Sequence, residues 1–473
     1  MRTFPEKFIE RVKEMLPAKE VDAFLERSTE PLPKTVRLRP GCNIPKDWIL
    51  KSVAEMPEAF FIDREDRTKA LGKTREHFSG EMYIATLSSL LTAKILAPEP
   101  GEKVLDVCAA PGSKTTFLAD LMNHEGVLVA NELSASRSKK LAANLDRLGC
   151  TNTVITQIDG TYMDTFFDQE FDKILLDAPC SSEGAGRKQS DFFEKFWSER
   201  KIYEAAKIQK KLIVSAFKML RPEGEMIYST CTTAPEENES VVQHLIDAFG
   251  ESVEILPIDL GSVPHGNGLN KFYEQKFDTR IAKHVRRLWP HLYNEKWDSE
   301  SFFMCKIRKK GGISRQPATK ARIAAGLKGL GKNQAAEIFS RISKKYDIPK
   351  DVWKKYALLD HGGELFLGTK DVTLFATRNA HRRAGMHIED KYGNPTNTFA
   401  MKFGGLANNN IVQLSKAEAD KFLEGTDIQL QEPLATKEGS AVLVREGKRC
   451  LGWGKSMQKG YRLKNRLDRG QLS

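Results

Sequence analysis

Residues 103–116 read KVLDVCAAPGSKTT. An apolar run ends in Asp106, the chain turns through Ala109, Ala110, Pro111 and Gly112, and a helix is predicted to open near Ser113. Small residues at such a turn let the backbone approach a ligand, and a helix N-terminus faces that ligand with amides that have no partner inside the helix. A strand that feeds a helix through so tight a turn predicts the start of a doubly wound α/β domain.

The surrounding sequence continues the alternation. Strands are predicted at 103–107, 126–131, 153–159, 173–177, 225–230, 253–257 and 303–307. Between the first two, Phe117, Leu118, Leu121 and Met122 fall on one helical face. Between the next two, Leu141, Leu145 and Leu148 recur at helical spacing behind Ser134, a good N-cap. Continuous apolar strands alternating with helices predict a mostly parallel sheet covered on both faces, with ligands beyond the carboxyl ends of its strands. The fold class is therefore α/β, a Rossmann-like sheet over 76–310. Residues 1–75 read as short helices and a basic strand in which Val36 and Leu38 alternate with Arg37 and Arg39. A Gly- and Lys/Arg-rich stretch opens a linker and small intermediate segment over 311–375, and 376–473 read as a β-rich domain of short strands.

Composition sets outer limits. The chain has 473 residues, 40% of them hydrophobic, and a net charge of +11 from 74 Lys and Arg against 63 Asp and Glu. That length predicts several domains, and the positive balance leans toward a polyanionic partner. Residues 1–16 mix charged and apolar positions, so no signal peptide is expected, nor is a membrane span. The seven cysteines form no Cys-x-x-Cys pair and none has a His at ligand spacing, which predicts free thiols, a reducing cytoplasm and no metal site.

The turn at 108–114 lacks the glycine spacing of a Walker A loop and of a dinucleotide fingerprint. S-adenosylmethionine carries no phosphate and needs a tight turn rather than an anion cradle. The candidate cofactor residues are Cys108, Ala109, Ala110, Pro111, Gly112, Ser113 and Lys114. Glu132 ends the second strand about twenty residues on, where an acid commonly takes a ribose. Asp159 ends the third and is a candidate partner for an adenine amine.

Two thiols follow strand ends: Cys180 in LLDAPCSSEG (175–184) and Cys231 in IYSTCTTAPEEN (227–238). Methylation of a cytosine at C5 requires a thiolate to add at C6, a group near N3 and a proton acceptor. Asp177 and Cys180 supply an acid and a thiol within one turn. Cys231 precedes a helix expected to open on Thr233 and Glu236 as a capping box, with Pro235 in its first turn. A helix N-terminus lowers a thiol pKa, but Glu236 and Glu237 oppose that effect. Local electrostatics alone leave the choice of nucleophile open.

Taken together, LDVCAAPGSKTT, NELSASR, ILLDAPCSSEGAGRK and IYSTCTTAPEENE resemble, in order and over about 104–240, the RNA cytosine-C5 methyltransferases of the Nol1/Nop2/Sun family. The resemblance implies that Cys231 attacks C6 and Cys180 assists release of the product. It also implies that Asp177 holds the cytosine near N3 and borders the S-adenosylmethionine site. Three positions depart from the family pattern: Ser182 and Ser301 replace glycines and Arg39 replaces an asparagine. Ser182 is strained if its φ is positive.

LGWGK (451–455) followed by LKN resembles the C-terminal extension of the family's bacterial small-subunit rRNA methyltransferases, implying a PUA-like RNA-binding domain. Basic residues interleaved with aromatics can follow a phosphate backbone and stack bases. Arg462, Lys464, Arg466 and Arg469, beside Trp453 and Tyr461, are the candidates at this end, and Arg37, Arg39 and the linker cations at the other. The implied activity is methyl transfer to a cytosine of 16S rRNA in the 30S subunit by a monomer. A tRNA methyltransferase and a ribosome assembly factor with little catalytic activity are the alternatives.

Overall fold

Strands with two apolar faces need cover on both sides, and the central sheet has it. The computed structural model describes residues 4–467 except 43, 46–47, 65–69, 190, 313–326 and 380. Its central strands are β1 (Lys103–Asp106), β2 (Val127–Asn131), β3 (Thr153–Thr156), β4 (Phe171–Asp177), β5 (Leu220–Thr230) and β6 (Phe302–Lys309), in the spatial order β3-β2-β1-β4-β5-β6. The first five are parallel, and β6 runs antiparallel beside β5. Successive residues point to opposite faces, so Leu105, Val129, Ile174 and Leu176 enter one core while Val104, Leu128, Leu175 and Ile227 enter the other. The helices α1 (Ser113–Leu121), α2 (Ala135–Arg147), α3 (Glu199–Met219) and α4 (Glu239–Phe249) follow β1, β2, β4 and β5. Ser134 caps α2, as expected, accepting from the Arg137 amide.

The winding direction reverses between β1 and β4, which opens a crevice beyond their carboxyl ends. Asp106 ends β1 and Asp177 ends β4, so the topology brings these two acids to the same crevice.

The accessory regions are tied to this sheet more closely than the expected boundaries allow. Strand Thr35–Leu38 pairs with Met56–Arg64 on one side and with Met82–Ile84 on the other, so the N-terminal sheet runs past residue 75. The strands Leu327–Gly329, Tyr356–His361, Glu364–Thr369 and Met386–Glu389 form one sheet that straddles the boundary expected at 376. A two-residue strand, Arg383–Ala384, leaves that region and pairs antiparallel with β3, covering an edge that would otherwise be open. The last hundred residues also hold the helices Asn397–Phe403 and Lys416–Leu423 beside a five-stranded sheet. The expectation of short strands there missed these helices because each buries only one or two turns. Among the described residues no helix is long and apolar enough to cross a membrane, and no group of His, Cys, Asp and Glu could hold a metal ion.

Candidate active site

The turn after β1 is held by its neighbours. The Ala109 amide donates to the Asn131 carbonyl at 2.8 Å, Arg137 donates to the Ala110 carbonyl at 2.8 Å, and Asn144 donates to the Pro111 carbonyl at 2.8 Å. Gly112 has φ +109° and a Cβ there would lie 3.2 Å from Leu141 Cδ1, so the turn requires glycine. Asp106 is buried, and its Oδ2 accepts from Thr115 at 2.7 Å. Its Oδ1 has no partner among the described residues. Burial pushes the Asp106 carboxyl up to about 7, with Asp177 adding to the rise and Thr115 and Lys114 opposing it. Burial also pushes the Cys108 thiol up, away from the thiolate form a nucleophile needs.

Glu132 is buried at the end of β2, accepts from the Ser134 amide at 2.9 Å and lies 3.5 Å from Arg137. Asp159 accepts from the amide and hydroxyl of Thr161 at 2.9 and 2.8 Å, so the same oxygen closes its own turn. Asn131, which the sequence pattern did not single out, ties the strand ends together. Its amide donates to the carbonyls of Val107 and Ile158 at 3.1 and 2.9 Å, and its oxygen accepts from Thr156 at 2.8 Å.

Lys114 was expected to serve the cofactor turn, but its ammonium points at the second acid. It lies 2.7 Å from Asp177 Oδ2 and donates to Ser89 Oγ at 2.9 Å. Burial opposes the charge, and Asp177 outweighs it, holding the Lys114 ammonium above its ordinary value. Ser229 donates to the other oxygen of Asp177 at 2.8 Å.

The two thiols meet. Cys180 Sγ and Cys231 Sγ are 3.3 Å apart, on the loops that leave β4 and β5. The hydrogen bond from Cys180 holds the Cys231 thiol below its usual range despite burial, with Lys188 helping and Asp177 and Glu300 opposing. The same contact, together with burial, holds Cys180 well above its usual range. The contact thus favours the proton on Cys180 and the charge on Cys231.

This activation replaces the helix end expected from the sequence. Helix α4 begins at Glu239 behind Asn238, well past Cys231, and Asn238 makes no side-chain cap bond. The would-be capping box is spent on tertiary contacts: Thr233 donates through amide and hydroxyl to Glu183, and Glu236 takes both arms of Arg11. Ser182 does adopt positive φ, at +62° and ψ 38°, with its hydroxyl donating to the Cys180 carbonyl at 3.2 Å. Gly184 passes so close to the Cys231 loop that a Cβ would lie 2.9 Å from the Cys231 carbonyl oxygen.

The expected RNA contacts divide. Arg37 is 1% exposed, paired with Asp120, bonded to Thr116 at 3.2 Å and stacked over Phe117. It is therefore a structural tie, since both faces of its strand are covered where one was expected to be open. Arg39 is half-buried, 3.8 Å from the same Asp120. Arg462 is exposed but bonded to Asp427, whereas Lys464 and Arg466 are exposed. Trp453 belongs to the core, and Tyr461 is exposed. Arg469 and the linker cations at 315–322 lie outside the described residues.

Known proteins resemble this chain over most of its length. The family described as 16S rRNA methyltransferase RsmB/F matches residues 93–308, and the Methyltransferase RsmF PUA domain matches 409–472. The chain is 33% identical to the ribosomal RNA small subunit methyltransferase F of Vibrio parahaemolyticus, over 98% of this chain and 97% of that one. It is 34% identical to the protein of that name from an Enterobacter species, over 98% and 95%. Among solved structures, a methyltransferase homolog protein from Pyrococcus horikoshii superposes with a TM-score of 0.55 at 31% identity, over 65% of this chain and 95% of that one.

Proposed function

The chain belongs to the RsmB/F family of 16S rRNA methyltransferases, and from that premise we propose that it transfers a methyl group to C5 of a cytosine in 16S rRNA. The observation that carries the assignment of residues is the 3.3 Å approach of Cys180 and Cys231 beside Asp177. Cys231, as the thiolate, adds to C6 and forms the S–C6 bond, while the ring electrons move toward C5 and N3. Asp177, kept in place by Lys114 and Ser229, holds the base near N3. After methylation a base takes the C5 proton, the C–H electrons re-form the C5–C6 double bond and the Cys231 thiolate is expelled. Cys180 assists that release.

The turn fits S-adenosylmethionine: Gly112 leaves room for close approach, and the buried Asp106 carboxyl closes the strand that leads into it. Residues 108–114 with Glu132, Asp159 and Asp177 would hold this cofactor, which supplies an electrophilic methyl group. The N-terminal region and the PUA domain would grip RNA on either side of the crevice, with Lys464 and Arg466 as phosphate contacts. On this reading the protein acts in the cytoplasm, as a monomer, on the 16S rRNA of the 30S subunit.

The test is labelled methyl transfer to unmodified 30S subunits, naked 16S rRNA and tRNA in parallel. Label in 5-methylcytosine of 16S rRNA is expected. Label confined to tRNA would overturn the substrate, and no label anywhere would leave a binding factor.

A further inference from the structure

No helix end serves Cys231, so something else must hold two half-buried thiols in contact. The two thiol loops are joined by a pair of crossed carboxylates. Glu183 belongs to the Cys180 loop, yet its Oε2 accepts from the other loop: the Thr233 amide at 2.9 Å, the Thr232 hydroxyl at 3.0 Å and the Thr233 hydroxyl. Its Oε1 accepts from Trp197 Nε1 at 2.8 Å. Glu237 belongs to the Cys231 loop, and its Oε2 reaches back to the Ser181 amide at 2.9 Å and to Gln209 Nε2 at 2.8 Å. Gln209 in turn donates to the Pro179 carbonyl at 2.9 Å, one residue before Cys180. Glu183 is 5% exposed and Glu237 is fully buried. Buried carboxylates are retained at a cost unless their hydrogen bonds repay it.

We propose that Glu183 and Glu237 are reciprocal positioning residues, Glu183 setting the attacking thiol and Glu237 the releasing thiol. The inference rests on the roles given above to Cys231 and Cys180. An amide cannot substitute at Glu183, because a Gln side chain presents only one acceptor oxygen and its NH2 would face either the threonine donors or the indole N–H. Loss of Glu183 therefore loosens the Cys231 loop, and loss of Glu237 loosens the loop of Cys180. The two losses act on opposite halves of the reaction. Glu237 also bears on proton traffic: burial pushes its carboxyl up to about 7, and its charge favours the protonated form of Cys180.

The experiment uses the full chain with unmodified 16S rRNA and S-adenosylmethionine, and reads methyl transfer and covalent protein–RNA adduct by rapid quench. Cys180→Ala and Cys231→Ala run alongside: adduct in the first and none in the second confirms the roles on which the inference rests. Glu237→Gln is expected to lose about tenfold or more in turnover, a barrier increase of about 1.4 kcal/mol, while adduct accumulates. Its turnover should lose one ionisation near neutral pH relative to the parent, the one assigned to the raised Glu237 carboxyl. Glu183→Gln is expected to form adduct at least about tenfold more slowly and to accumulate none by itself, and in combination with Cys180→Ala the trapped adduct should appear more slowly by the same factor. Cofactor affinity and melting temperature are measured for each. If either variant does not fold, Thr232→Val replaces Glu183→Gln and Gln209→Leu replaces Glu237→Gln, with the same opposite effects on adduct. Equal effects of the two substitutions on adduct formation would overturn the clamp while leaving the thiol roles intact. Failure of Cys180→Ala to trap adduct would overturn the roles themselves and the clamp with them.

Discussion

Replacing Arg37 by Met separates a phosphate contact from a structural tie. Met keeps an apolar stem over Phe117 but removes the charge that answers Asp120 and the donor to Thr116. Breaking a buried ion pair by deleting one partner costs about 3–5 kcal/mol. Here Asp120 keeps His124 at 3.4 Å and Arg39 at 3.8 Å, which places the expected loss near the lower end, about 3 kcal/mol. That corresponds to a fall in apparent Tm of roughly 5–10 °C. Adding Asp120→Asn to Arg37→Met should recover part of the loss, because no uncompensated carboxylate is then left in the core. The matching assay is RNA affinity as a function of salt. Arg37→Met should leave the slope of log K against log salt unchanged, whereas Lys464→Ala should reduce its magnitude by roughly 0.7–0.9. A stable Arg37→Met protein with a reduced salt slope would refute the reasoning and return Arg37 to the RNA.

Three further outcomes follow from the site. Cys231→Ala should abolish transfer while cofactor binding persists, and near-parental turnover would move the nucleophile to Cys180. Asp106, with its carboxyl raised to about 7 from 3.8, contributes stability that is complete below about pH 4 and lost as pH rises through 7. In urea unfolding without cofactor, Asp106→Asn should therefore gain on the parent between pH 4 and 8, by up to about 4 kcal/mol, and a pH-independent difference would show the group does not titrate there. Ser182→Gly should retain transfer and melt no lower than the parent, since relief of positive φ, about 1 kcal/mol, offsets loss of the hydroxyl bond to Cys180. A fall of several degrees would show that the bond dominates.

Much of this molecule is local, and local features are legible in sequence. Val104 and Leu105, adjacent and both apolar, announce a strand covered on both faces; Gly112 marks the turn; Ser134 marks the start of α2. The motifs around Cys180 and Cys231 carry their family in consecutive residues. Other features depend on partners far along the chain, and spacing is silent about those. Arg37 alternates with apolar neighbours as an exposed residue would, and only the packing of α1 against its strand puts Asp120 over it. Thr233 and Glu236 have the spacing of a capping box, but Glu183 and Arg11 outcompete the helix for them. Strand Arg383–Ala384 is two residues long, too short for any periodicity, and exists because β3 offers an unpaired edge. Sequence by itself determined the parallel sheet, the turn that faces the cofactor and the pair of thiols. Tertiary structure alone decided that the two thiols meet, because a 3.3 Å contact and two crossed carboxylates join loops about fifty residues apart, and spacing along the chain is silent about such partners.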